Sequence, residues 1–388
     1  MTDPEVLALH DELLTIDSHI DIGPGFGTER LDPGVLNRAQ VNLPSMRIGG
    51  LDAGFFIVYT PQAKVTEDAY AKAFQTAEDR YVAILRMLRA YPDQIALASS
   101  SEEVESVHAE DKLVALIGIE NSFPLGLTAE EIQKNVAIWA ARGARYASLT
   151  HFGHNQFGGS SNPSAQRGDG EDPGLSELGK VLIAVLNDNG MMVDISHVGP
   201  KTAADAIALS RAPVIASHST VKAVHDNLRG LSDDQLRAIR DSGGVVQVTA
   251  FRSYIAKVDP QVSAAARILR GRLGLTSGAA FAAATPETLS EYASEIARIR
   301  QTFGDVTLSQ FLDHVDHAVK IAGIDHVGVS GDFDGGGGVQ GWNGAADSPN
   351  VTAGLLDRGY SKEDIAKIWG GNLLRVMREV EAESVVER

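Results

Sequence analysis

Met191-Met192-Val193-Asp194-Ile195-Ser196-His197 is a short apolar run that stops on Ser-His, and Val214-Ile215-Ala216-Ser217-His218 repeats the plan a little further on. Runs of this kind, rich in Val and Ile and bounded by polar residues, read as strands buried on both faces, as in a parallel sheet. The stretch between them, 202–209, has helical spacing, so the whole reads as strand, crossover helix, strand. Similar runs lie at 13–17, 54–59, 113–119, 146–150, 245–249 and 327–330, which makes eight strands. Segments of helical periodicity separate them at 68–90, 129–141, 176–189, 232–241 and 308–321. A last one, 361–380, closes the chain and carries the breakers Gly370-Gly371. Eight alternating units predict an α/β fold, a (β/α)8 TIM-like barrel, although an open doubly wound sheet has the same alternation.

Two stretches read as loops. The first, 153–174, is crowded with Gly, Asn, Ser, Asp and Pro; the second, 335–350, opens on four glycines. The glycines lack the Lys-Ser/Thr that follows a phosphate-binding loop. An Ala- and Arg-rich segment, 259–304, reads as a helical insertion between the seventh and eighth strands. No repeat or long linker divides the chain, so residues 1–388 are expected to form one barrel domain.

Composition narrows the function. The 388 residues contain no cysteine, which excludes disulfides, thiolate metal ligands and a cysteine nucleophile, and fits a reducing compartment such as the cytoplasm. The net charge of −17 argues against nucleic acid and anionic membranes as partners. Met1-Thr2-Asp3-Pro4 opens the chain without a basic segment or a long apolar run, so neither a signal peptide nor a membrane span is expected.

Active sites of such barrels form at the C-terminal ends of the strands. There the first strand offers Asp17-Ser18-His19-Ile20-Asp21, the third Glu120, the fourth Thr150-His151, the fifth His197, the sixth His218 and the eighth Gly331-Asp332-Phe333-Asp334. His19 and Asp21, two apart on an extended chain, point to one side and can share a cation. Each residue alone has a plainer reading: a surface or core polar pair for His19 and Asp21, a salt bridge for Glu120, hydrogen-bonded core histidines for His197 and His218. Their convergence on one face is what favours divalent metal, with imidazole and carboxylate donors suiting Zn²⁺ and allowing Mn²⁺ or Co²⁺. His314 and His317, on a helix, are expected to face solvent or the helix layer. The role of His154, in the glycine-rich loop, stays open.

These motifs, in this order, resemble the membrane (renal) dipeptidase family, a branch of the amidohydrolase superfamily. The resemblance extends over most of the chain and includes Val41-Asn42-Leu43-Pro44, Gly118-Ile119-Glu120, Asp194-Ile195-Ser196-His197-Val198, Ala216-Ser217-His218-Ser219, Gly331-Asp332-Phe333-Asp334-Gly335 and Gly371-Asn372-Leu373-Leu374-Arg375. It implies a zinc-dependent dipeptidase in which His19 and Asp21 hold one Zn²⁺, His197 and His218 a second, and Glu120 bridges them. His151 then matches the histidine that polarises the scissile carbonyl, and Asp332 the aspartate that shuttles a proton. Arg229 matches the arginine that grips the substrate carboxylate, and Tyr254 a substrate-contacting tyrosine. Dipeptides with a free C-terminal carboxylate, L-Xaa-D-Xaa included, are the implied substrates, and a homodimer the implied assembly. Members of the family that are secreted, lipid-anchored and disulfide-linked differ from this cysteine-free chain, and 259–304 is longer than their counterpart. Another hydrolase of the superfamily, acting on a lactone, a cyclic imide or an N-acyl amino acid, would use the same metals. A barrel that binds without catalysis would not need Asp332.

Overall fold

Near-continuous apolar runs force strands that are covered on both sides, and the chain meets that demand by closing the sheet on itself. The computed structural model describes residues 3–23 and 25–386. Its barrel strands are β1 (Ile16–Ile20), β2 (Ala53–Tyr59), β3 (Leu113–Glu120), β4 (Ala144–Ser148), β5 (Met192–Asp194), β6 (Ile215–Val221), β7 (Val245–Thr249) and β8 (Val327–Ser330). Sequence neighbours are sheet neighbours throughout, and every pairing is parallel. Two short strands lie off this path, Ile95–Leu97 beside β3 and Gly230–Leu231 beside β6. Polar bonds join β8 to β1: the Asp21 amide donates to the Phe333 carbonyl at 2.9 Å. The Asp17 carboxylate accepts from the Gly331 amide at 3.0 Å and the Ser330 hydroxyl at 3.1 Å. This sequential, closing order is that of the barrel and not of the doubly wound sheet.

Alternate residues of each strand serve different layers. Phe55, Ile57, Val114, Leu116 and Tyr146 belong to one buried cluster, shared with Leu373, Leu374 and Met377 of the last helix. Phe56, Val58, Ala115, Ile117 and Ile119 pack instead toward the surrounding helices. In the helix Glu67–Ala90, Ala73, Ala77, Ile84 and Met87 form the buried stripe, and Thr66 caps the first turn. Ala129–Ala141 starts on a Thr128/Glu131 capping box. The segment between β7 and β8 holds the helices Pro260–Arg272, Gly278–Ala283 and Pro286–Phe303, the first and last tied by Arg272 and Glu291 at 2.8 Å.

The C-terminal glycines do not break the chain's last helical stretch. Lys362–Ala366 runs through a π-helical turn, Lys367–Gly371, into Asn372–Ala382. A Cβ on Gly370 would sit 2.5 Å from the Leu14 carbonyl, so glycine serves close packing against the chain entering β1. This stretch closes the N-terminal end of the barrel. Asn372 donates to the Ile324 and Val327 carbonyls at 2.7 and 2.8 Å, and Arg375 to Gly243 at 2.7 Å. Four short helices, Pro4–Asp11, Leu43–Gly49, Ser101–Ala109 and Pro349–Asp357, carry too few periodic apolar residues to stand out in the sequence. The opening Met1-Thr2 lies outside the described residues. Among these, no helix is long and apolar enough to cross a membrane.

His314 is fully buried under the barrel's helix layer. Its Nδ1 accepts from the Val221 amide at 3.1 Å and its Nε2 donates to the Ile255 carbonyl at 2.9 Å, which fixes one neutral tautomer. Burial pushes its pKa down to about 4. The unfolded chain therefore binds the extra proton first, so stability falls as pH drops from about 6.5 toward 4. Between pH 7 and pH 5 this group is expected to cost about 2 kcal/mol. His314→Gln, which keeps an acceptor and a donor, should lack that part of the pH slope in urea denaturation. An identical slope in both proteins would exclude His314 as its source.

Candidate metal centre and active site

The polar residues of the rim are set by small irregularities of the strands that carry them. β1 shifts register between Asp17 and Ile20, around His19. β6 shifts between Ala216 and Ser219, around His218. Such bulges re-aim a side chain that regular alternation would send elsewhere. The i, i+2 argument for His19 and Asp21 assumes a regular strand, so their meeting owes as much to the bulge; His19 Nε2 lies 3.6 Å from Asp21 Oδ2. His197 (φ 66°) and Asp332 (φ 50°) occupy the left-handed region, which for such residues costs on the order of 1–3 kcal/mol. Gly335 makes room beside them, since a Cβ there would stand 2.1 Å from Asp21 Oδ2 and 2.5 Å from Asp332 Oδ1.

Glu120, the last residue of β3, is the centre of the cluster. Its Oε2 lies 3.7 Å from His19 Nε2. Its Oε1 lies 3.1 Å from His197 Nε2, 3.4 Å from His218 Nε2 and 3.6 Å from His151 Nε2. Three overlapping groups result, each with one ligand atom per residue and all such atoms within 4.8 Å of one another: His19, Glu120 and His218; Glu120, His151 and His197; His19, Asp21 and Asp332.

The ring nitrogens are oriented from behind. Tyr146 donates its proton to the Ser18 carbonyl at 3.0 Å and so must accept from His19 Nδ1, also at 3.0 Å. That leaves His19 Nε2 facing the carboxylates, buried and without a hydrogen-bond partner. Ser217 likewise donates to Asp194 Oδ2 at 2.7 Å and accepts from His218 Nδ1 at 2.8 Å. The Nε2 atoms of His197 and His218 lie 2.8 Å apart, within hydrogen-bond distance, and His197 Nδ1 is buried without a partner. His19 and His218, each fixed through its outer nitrogen with the inner one turned to the carboxylates, are held as metal-ligating imidazoles are.

Electrostatics agree. Burial pushes Glu120 up to about 8, with His19 opposing and Asp21 and Asp332 adding to the rise. Burial also lifts Asp332 and Asp334 to about 7. His19, which burial alone would lower, is carried to about 9 by Glu120 and Asp21. His151 is held near 3 by burial and by Arg229. His197 and His218 lie well below the ordinary range, chiefly through burial. Buried carboxylates thus outnumber the positive charge beside them, and the neutral imidazoles present lone pairs, so the residues fit divalent cations.

A cavity of about 410 Å³ opens onto this cluster, lined among others by Asp21, Glu120, His151, Tyr254 and Asp332. Arg229 is buried behind it, donating to the His218 carbonyl at 2.9 Å, with its guanidinium 5.6 Å from the Tyr254 ring and its Nε unpartnered. Arg80, absent from the sequence reading, lines the wall and lies 5.3 Å over the Tyr59 ring. It sits on the helix after β2 among other basic residues, and nothing in its spacing marks it as the one that leans over the rim. His154 is a loop tie: its Nδ1 accepts from the Ser160 amide at 3.0 Å and its Nε2 donates to the Gly170 carbonyl at 3.1 Å. His317 pairs with Asp233 at 2.8 Å, away from the site.

A parallel barrel with carboxylates and imidazoles gathered at the C-terminal rim has the donor set of a metal centre where such barrels place their active sites. The chain belongs to the membrane dipeptidase family, peptidase family M19, whose family profile matches residues 4–387. It is therefore a metallodipeptidase by family. The dipeptidase aclJ of Aspergillus oryzae is 28% identical over 88% of this chain and 70% of its own length. Among solved structures, the probable dipeptidase PvdM of Pseudomonas aeruginosa is 34% identical with a TM-score of 0.84, covering 98% of both chains. A metallopeptidase of Rhodobacter sphaeroides shares the fold at a TM-score of 0.71 and 23% identity, over 95% of this chain and 99% of its own.

Proposed function

We propose that two divalent cations, Zn²⁺ by the donor set, are held by His19 and Asp21 on one side and by His197 and His218 on the other, with Glu120 between them. The observation that carries this reading is the split of the Glu120 carboxylate, one oxygen turned to His19 and the other to His197 and His218. Bound there, the cations would supply an acidified water and a polarised carbonyl.

The chain's own residues do the rest. Arg229, whose Nε has no partner, takes the free C-terminal carboxylate of a dipeptide, with Tyr254 alongside. His151, kept neutral, donates to the carbonyl oxygen as negative charge develops on it. Asp332 accepts the proton of the attacking water and returns it to the leaving amine. A cavity of about 410 Å³ suits a substrate of two residues. The C-terminal residue is gripped by its carboxylate and not by its backbone direction, so L-Xaa-D-Xaa substrates are accepted with L-Xaa-L-Xaa.

Metal analysis of Glu120→Ala tests the bridging role. Wild type is expected to carry two zinc ions per chain and the variant one or none, with activity lost. Retention of two ions in the variant would refute the bridge.

A further inference from the structure

A second cavity, of about 360 Å³, lies beside the first, between the turn after β7 and the inserted helices. The two share Phe251 as a wall, and Gly335 borders one where Gly336 borders the other. Phe251 stacks on Tyr254 at 4.2 Å and 18°, so a path of aromatic rings runs from Arg229 to the second cavity.

This cavity is cationic, in a chain whose net charge is −17. Arg252, Lys257, Arg270 and Arg300 line it, against Asp259 and Asp305. Arg252 is already engaged, with Asp305 at 2.8 Å and with Asn343 at 2.8 Å. Asp259 caps its helix by accepting from the Gln261 amide at 2.7 Å. Lys257, Arg270 and Arg300 have no side-chain ion pair or hydrogen bond among the described residues. Arg300 is half-buried, and burial together with Arg252 holds its pKa below the usual arginine range. One carboxylate, Asp305, thus faces two guanidinium groups. Tyr292 and Ile296 supply apolar wall for a methylene chain. Lys257 and Arg270 are exposed and Arg300 is half-buried, so the cations line a cavity that is open to solvent, adjoins the substrate pocket and is placed to receive an anion from the substrate.

We propose that this cavity is a side-chain subsite, and that the enzyme prefers dipeptides whose C-terminal residue carries an acidic side chain. The inference rests on the reading of Arg229 as the grip on the α-carboxylate, because that grip sets the same residue's side chain along Tyr254 and Phe251. The test is kcat/KM of the zinc-loaded enzyme for Ala-Glu against Ala-Gln and for Glu-Ala against Gln-Ala, with L and D residues at the C-terminus. In wild type, Ala-Glu is expected to exceed Ala-Gln about tenfold or more. R300Q should remove most of that ratio and R300K restore it. R298Q, which breaks an exposed pair with Glu295 on the same helix, should leave it as it was. Taking a ratio within each variant cancels any general loss, and Lys257→Gln repeats the test if R300Q does not fold. A wild-type ratio near one, or a ratio indifferent to R300Q, overturns the subsite. A preference sensitive to R300Q for Glu-Ala instead overturns the Arg229 orientation. No turnover of any dipeptide overturns the parent reading and the subsite with it.

Discussion

Asp332→Asn is expected to lower kcat by about 10²–10⁴-fold, the range spanned by a positioned proton acceptor, while zinc content per chain and KM stay near wild type. Asp332 lies within ligand distance of His19 and Asp21 and is buried, so its position alone allows either metal ligation or proton transfer. The amide separates the two. Asparagine keeps the size and one donor oxygen, and it cannot take up and return a proton. If Asp332 were needed chiefly as a ligand, metal analysis would show ions lost together with activity, and added zinc would restore turnover. A fall in kcat at constant metal content assigns an interaction made only as bonds change. Turnover near the wild-type rate would remove Asp332 from proton transfer altogether. The left-handed backbone at Asp332 (φ 50°) makes Asn the replacement of choice, since it tolerates that region about as well as Asp.

What could be read from residues alone follows physical lines. Strands buried on both faces are apolar almost without interruption, so all eight showed, and their polar ends stood out as breaks: Glu120 after Ile119, His197 after Ser196, His218 after Ser217. Their edges were less visible. β1 reads as 13–17 from its apolar start, but hydrogen bonding runs over Ile16–Ile20, which puts His19 inside the strand. The bulges around His19 and His218 leave no mark in composition, because a bulge is a matter of register with the neighbouring strand. Arg80 was hidden for a related reason. On a helix with a polar outer face, the one side chain that reaches the rim looks like its neighbours. The same holds for Lys257, Arg270 and Arg300, whose common cavity exists only once the turn after β7 and two of the inserted helices have come together. Motifs declare the groups that perform chemistry, whereas the groups that aim them or select substrate are declared by the fold.

Asp194 is the clearest of these supporting groups, and its removal is expected to have the largest effect on stability. Its buried carboxylate accepts from the Ser196 amide at 3.0 Å, the Ser217 amide at 2.8 Å, the Ser217 hydroxyl at 2.7 Å and the Ser148 hydroxyl. It thereby ties the ends of β4 and β5 to β6 just beneath His197 and His218. Asp194→Ala leaves four buried donors without their acceptor, and is expected to cost on the order of 4 kcal/mol in urea denaturation. Because the residues released are the neighbours of His197 and His218, zinc on that side should be lost too. Ser217→Ala divides these effects. It cuts the link from Asp194 to His218 Nδ1 but leaves the carboxylate its other donors, so zinc affinity should fall about 10–100-fold with a stability loss of no more than about 2 kcal/mol. If Ser217→Ala binds zinc like wild type, the serine is packing and the orientation of His218 comes from the bulge in β6 alone.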